Sequence, residues 1–144
     1  MRIEFTVPAI PVAQPRQRQT VLAGHVHGYT PARHPVNAFK AAVALSARGA
    51  YDGPPLEGAV RVSLLFVFPR PRVLVWKRRP MLRTWHTSRP DCENVIKSFL
   101  DALTGLVWHD DAQVSELHAV KAIAAGSEQP HVEVCVEALE EVRS

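Results

Sequence analysis

Between Arg89 and Gln113 the chain reads Arg89-Pro90-Asp91-Cys92-Glu93-Asn94-Val95-Ile96-Lys97, then Asp101-Ala102-Leu103, then Asp110-Asp111-Ala112-Gln113. Carboxylate oxygens are what hard divalent cations such as magnesium prefer as ligands, together with water and substrate phosphate. A nearby lysine supplies positive charge for a phosphate or for the charge that develops in its transition state. With a metal bound, acids that would otherwise repel phosphate help to polarise a P–O bond and to ionise water near neutral pH. Asp91, Glu93, Asp110 and Asp111 are therefore candidate metal ligands, and Asp91, Glu93, Lys97 and Asp111 candidate catalytic residues. The same residues also admit plainer roles. Asp91 would serve as a helix cap, Glu93 and Lys97 as an i, i+4 pair worth about 0.2–0.5 kcal/mol, and Asp110-Asp111 as turn residues. Residue type and spacing leave both sets of roles open.

The elements that must position these groups follow from patterning. Pro90 breaks regular structure and puts Asp91 at or just before a helix N-cap. A helix over about 92–104 follows, with Val95, Ile96, Phe99, Leu100 and Leu103 as its apolar stripe and Glu93, Lys97 and Asp101 on another. After Gly105 to His109, two strands are expected at about 111–123 and 131–139, so that Asp110-Asp111 opens a strand and returns beside the helix start. Upstream, Met1 to Val7 alternates as a half-buried strand, and 13–34 reads as an irregular loop or weak hairpin. Pro35 opens a helix over about 35–49, with Phe39, Ala42, Val43 and Ala47 near helical spacing. Val60 to Phe68 reads as a central strand covered on both faces, because Leu65 and Val67 add apolar positions to the second face. Residues 69–90 read as a basic loop.

Charge is divided unevenly along the chain. Residues 1–90 hold 14 Lys/Arg against three acids, a balance of +11, whereas 91–144 hold three Lys/Arg against 11 acids, a balance of −8. A plain polyanion binder gains nothing from acids near its ligand, while an enzyme that recruits a divalent metal to a phosphodiester needs both signs. Arg16, Arg18, Arg70, Arg72, Lys77, Arg78, Arg79 and Arg89 are candidate contacts for the phosphates of a polyanion, with surface solubility as the plainer role. Trp76 and Trp85 could stack on an unpaired base or pack in a core or interface.

Several classes are excluded. At 144 residues, with 47% hydrophobic and 22% charged residues, the chain has the composition of one globular domain and not of a disordered or fibrous protein. Cys92 and Cys135 form no C-x-x-C pattern, which excludes a disulfide scaffold and a paired-cysteine zinc module. No apolar run reaches the roughly 18 residues of a membrane span, and the opening residues lack a signal peptide's apolar run. A soluble cytoplasmic protein is expected. His25-x-His27 with His34 makes a zinc site conceivable, and His109 is placed either near a scissile phosphate or at a helix-to-strand corner.

The string PDCENVIKSFLDALTGLVWHDDAQV resembles the signature of the RusA family of Holliday junction resolvases: P-D-x-D-N-x-x-K, then D-A-L, then D-D-x-Q and a branched apolar residue. Gln14-Pro15-Arg16 and Gly28-Tyr29-Thr30-Pro31 resemble the family's early basic loop and its G-x-Y-T-P-type segment. The resemblance implies a homodimeric, magnesium-dependent endonuclease that resolves four-way DNA junctions by paired nicks, in DNA recombination and repair, with manganese as an alternative ion and no organic cofactor. By position it carries catalytic roles to Asp91, Glu93, Lys97 and Asp111. The departure is Glu93, where aspartate is usual. Its extra methylene moves the carboxylate by roughly 1.5 Å on a fixed backbone, and a displacement of about 1 Å can lower a rate on the order of 100-fold.

The expected architecture is α+β, a single RusA-like domain over 1–144. It has a mixed sheet of about four or more strands with two main helices on one face, and the start of the second helix lies with Asp110-Asp111 at one rim. Two other functions compete with a junction resolvase: a junction-binding protein that kept the fold and lost activity, and a metal nuclease of broader range on branched or single-stranded DNA.

Overall fold

The computed structural model describes residues 1–16 and 18–140, without the side chains of Arg18 and Leu22. In chain order the elements are β1 (Arg2–Val7), β2 (Arg18–Leu22), β3 (His25–Tyr29), α1 (Pro35–Ala50), β4 (Val60–Phe68), β5 (Thr84–Trp85), α2 (Cys92–Leu103), β6 (Val114–Ile123) and β7 (His131–Ala138). The main sheet has five strands in the order β1-β7-β4-β6-β5. Only the β4–β6 pair is parallel, so the sheet is mixed and the expected α+β class is what the chain adopts. The weak hairpin expected upstream forms as a separate β2–β3 ribbon, turning at Ala23 (φ 52°) and Gly24 (φ 80°). Successive positive φ angles are what a tight two-residue hairpin loop requires.

Helix α1 starts where the sequence predicts. Pro35 occupies its first turn, and His34 Nδ1 accepts a hydrogen bond from Val36 N at 3.1 Å. That cap takes one of the nitrogens a zinc site would have used. Val36, Phe39, Val43 and Ala47 recur every three or four residues and are buried. On α2 the buried positions are Val95, Ser98, Phe99 and Leu103. Both helices pack on one sheet face, against Val60, Val62, Leu64 and Phe66 of β4, Ile3 and Val7 of β1, and Val132, Val134 and Val136 of β7. Phe99 sits between two aromatic neighbours, 6.0 Å from Phe66 at a near-perpendicular 79° and 6.5 Å from Phe39.

β4 is central as expected, lying between β7 and β6, but its second face is not covered. Val67 is buried, while Arg61, Ser63 and Leu65 are only half-buried. Glu4, Ser63, Leu65, His118, Val120, Glu133 and Cys135 of four adjacent strands line a shallow trough of about 620 Å³ on that side. The apolar positions on the second face reflect the β-propensity of a central strand rather than a second packed layer.

The β4–β6 pairing fixes where everything else must go. Two parallel neighbours need a crossover, and the chain must travel back the length of the sheet before β6 begins. Helix α2 makes that return. Its N-terminus therefore lies at the C-terminal ends of β4 and β6, and its C-terminus lies at their N-terminal ends.

Phe99 is fully buried between rings that cannot collapse into the space it fills. Phe99→Ala is expected to lower unfolding free energy by about 3–5 kcal/mol. Urea denaturation of both proteins measures this, and a loss below about 1 kcal/mol would contradict the packing described.

Candidate functional site

At the N-terminus of α2, Asp91 is in the N-cap position (φ −63°, ψ 146°), yet its side chain makes no capping hydrogen bond. The plainer role open to Asp91 is thus not taken up, and its carboxylate is exposed. With Ala13, Arg89, Pro90 and Asn94 it lines an open cleft of about 380 Å³. Glu93, one residue into the first turn, is exposed and lies 3.3 Å from Lys97 Nζ, so that plainer pairing is realised. Both side chains remain open to solvent, where such a pair is weak and easily exchanged for another partner. Asp101, further along the same stripe, pairs instead with Lys40 of α1 at 2.5 Å.

What holds this end in place comes from residues that patterning alone did not single out. Lys121 of β6 projects from the helix-facing side of the sheet, opposite Phe66 in the register. Its Nζ donates to the carbonyls of Ser88 (2.8 Å) and Pro90 (2.6 Å). One ammonium group thereby pins the turn that delivers Asp91. Gln14 N donates to Asn94 O at 3.0 Å, and the buried Ser98 hydroxyl donates to Val12 O at 2.5 Å, so residues 12–14 run alongside the helix start. A lysine among the otherwise apolar inward positions Leu117, Ala119 and Ile123 of β6 is the sequence signal that could have revealed Lys121.

Asp110 and Asp111 sit at the opposite end. The connection after α2 turns tightly at Gly105 (φ 85°), with Leu106 N and Val107 N both donating to Leu103 O. Asp110 then caps a short 3-10 turn over Asp111–Gln113, its Oδ1 accepting from Ala112 N at 2.9 Å, and β6 begins only at Val114. Gln113 completes the cap by accepting from the amides of His109 and Asp110, while its Nε2 donates to Leu56 O and Gly58 O at 2.8 Å. Asp111 Oδ1 accepts a hydrogen bond from the Thr104 hydroxyl and faces the buried Trp108 indole Nε1 at 3.4 Å. Thr104 is the C-cap of α2. His109 is exposed at the corner, paired with Glu57 at 2.9 Å.

The gathering of Asp91 with Asp111 at one rim is therefore overturned within a single chain. Asp91 is the N-cap of a 12-residue helix and Asp111 is bonded to its C-cap, so the helix, about 18 Å long, separates them. The connection from α2 to β6 is used up in its own turn and cannot carry the doublet back along the helix. Among the described residues, no three His, Cys, Asp or Glu side chains stand close enough to hold a metal ion, and this covers His25, His27 and His34 as well. The carboxylate donors suit a hard cation, but one chain does not assemble them into a single set.

The basic residues divide by role. Arg72, Lys77, Arg78, Arg79 and Arg89 are exposed, as is Arg16, and the Arg18 side chain lies outside the described residues. Arg70 is a brace: its guanidinium donates to the carbonyls of Leu74, Leu82 and Ala124. Arg79 and Arg70 lie 3.8 and 4.9 Å from the Trp76 ring centre, which engages that ring within the loop, while Trp85 is 75% exposed. Arg83 ties the loop to Glu128 and Glu133, and the Glu128 carboxyl is drawn down to about 2 by the Arg83 guanidinium.

His86 stacks on Phe68 (4.2 Å), and its pKa is lowered by burial and then by the Lys121 ammonium. The folded protein thus keeps His86 neutral at a pH where the unfolded chain, with its ordinary value of 6.5, already binds a proton. Stability from this residue is complete above the unfolded value and is lost as pH falls. The difference in unfolding free energy between wild type and His86→Phe is expected to shrink between pH 7 and about 5. Urea titrations across that range test it; a difference independent of pH would contradict it.

The sequence matches the model of the family described as Endodeoxyribonuclease RusA over residues 8–137. It is also 34% identical over 141 residues to a Bacillus subtilis (strain 168) protein described as Uncharacterized protein YqaN, with 93% of this chain and 94% of that one covered. No helix is long and apolar enough to cross a membrane among the described residues.

Proposed function

The chain belongs to the RusA endodeoxyribonuclease family, and on that premise we propose that it is a homodimeric, metal-dependent endonuclease that resolves four-way DNA junctions by paired nicks. The observation that carries this reading is the uncommitted Asp91 carboxylate at the start of α2, beside Glu93 and Lys97 and next to a loop of exposed cations. Because one chain keeps these acids at opposite ends of α2, Asp91 and Glu93 with Asp111 of the partner subunit would hold magnesium, with manganese as the alternative. That ion, when bound, supplies polarisation of the phosphodiester and ionisation of a water. Asp110 has one oxygen engaged as a cap and contributes chiefly by shaping the turn that presents Asp111. Lys97 offers its ammonium group to the phosphate once Glu93 turns to another partner. Arg16, Arg72, Lys77, Arg78, Arg79 and Arg89 bind DNA backbone, and Arg70 acts by holding the loop that carries them.

Glu93 supports a second reading, a junction binder without chemistry, because the longer side chain displaces the carboxylate from where aspartate would put it. A synthetic four-way junction incubated with and without magnesium separates the two. Nicking that requires the metal, and falls by about 100-fold or more in Asp91→Asn and Asp111→Asn, is the expected result. Nicking seen only in Glu93→Asp would make the natural chain a binder. Cleavage of linear duplex as fast as of the junction at physiological salt would favour the broader nuclease instead, since nonspecific affinity fades there.

A further inference from the structure

The β2–β3 ribbon takes no part in the packing of the rest of the molecule. Every described side chain in it is exposed, and none contributes to the core beneath the two helices. Its strands are each five residues long, a reach of about 17 Å. Both of its feet are fixed. On the way in, Gln14 N donates to Asn94 O at the start of α2, and on the way out Asn37 Nδ2 donates to Pro31 O at 3.2 Å and Ala32 O at 3.1 Å. Ala13, next to Gln14, lines the cleft that also holds Asp91. The ribbon is thus rooted at the rim where Asp91 stands. Within it Val21 stands opposite Val26, so the two side chains share one face, and they are 65% and 62% exposed. On the other face Thr20 stands opposite His27. A two-stranded ribbon with nothing laid over it is only marginally stable in water, and a surface covering the valine pair would supply the missing layer. The chain carries no acid from Phe5 to Tyr51, whereas Arg16, Arg18 and Arg33 fall within the same stretch.

We propose that the ribbon is a branch-recognition arm, whose Val21–Val26 face packs on unstacked bases where the strands of a DNA junction cross. This deepens the nuclease reading and rests on it. Charge selects a polyanion, because phosphates meet cations and no carboxylate anywhere along the arm. The apolar pair selects within that class. In a continuous duplex the bases are stacked on one another, and only their edges line the grooves. Base faces come free where stacking is broken, and apolar side chains entering such a step hold it open. Position agrees with this role. With a phosphate of the crossover at Asp91, the neighbouring bases fall within the arm's reach of about 17 Å.

Val21→Thr combined with Val26→Thr keeps the branched shape and strand propensity while removing the apolar face. Wild type and this threonine pair are titrated by fluorescence anisotropy, without divalent metal, on a four-way junction and on linear duplex. A second junction carries 2-aminopurine at the crossover. Wild type is expected to prefer the junction and to brighten the 2-aminopurine as that base unstacks. In the threonine pair the preference is expected to fall about tenfold, the effect of taking two methyl groups from an apolar contact, with duplex affinity unchanged and the brightening lost. Val21→Ile with Val26→Ile is expected to keep both properties; their loss there would trace the effect to ribbon shape and overturn the proposal. Full preference and brightening in the threonine pair would overturn it, as would a wild type that shows neither. A changed sedimenting mass in the threonine pair would also overturn it, by assigning the valine face to contact between protein chains. Nicking in magnesium is scored separately. A wild type that brightens the junction but never cuts it removes the nuclease reading and leaves the arm in place, whereas a threonine pair that binds and cuts as wild type removes the arm alone.

Discussion

A single parallel strand pair governs the layout of this molecule. Because β4 and β6 run the same way side by side, the chain between them has to cross back over the sheet, and α2 is the piece that does so. A helix in that role is antiparallel to the strands it spans. Whatever precedes it is delivered to one rim and whatever follows it to the other, and 12 helical residues keep the two apart. The acidic motif is continuous in sequence because it brackets the crossover, and it is divided in space for the same reason.

Each end is then held by its own set of contacts. At the upper rim Lys121 donates to the carbonyls of Ser88 and Pro90, and the Asp91 side chain makes no capping bond to the helix, which only its backbone carbonyl serves. At the lower rim Thr104, Trp108 and Gln113 fix the orientation of Asp111 and the turn that bears it. The contrast is informative. One aspartate is kept free and the other is aimed, through a single oxygen, by groups that are themselves capped or buried.

Much of the fold was legible from patterning, because helical and strand periods report burial directly. The bounds of α1, β4, α2 and β7 fall within a residue or two of expectation. Harder to read were features set by pairing partners. The short β5 strand has no period to betray it, and the open second face of β4 depends on which side two helices choose. The start of β6 was shifted from Asp111 to Val114 because Asp110 and Gln113 form a reciprocal cap, a side-chain arrangement that competes with the ladder. The site was half legible. Residue types identified the acids and the lysine, but spacing along a chain does not say to which rim a crossover carries them.

The sheet with one covered and one open face makes the molecule unequal in its tolerance to change. Along β1, β4 and β7, alternate side chains enter the packed layer beneath the helices, while those between them look onto the trough lined by Glu4, Ser63, Glu133 and Cys135. Descendants of this sequence can therefore drift at every second position of a strand while their neighbours stay nearly fixed, so that the record of ancestry should appear as a two-beat rhythm of fast and slow sites.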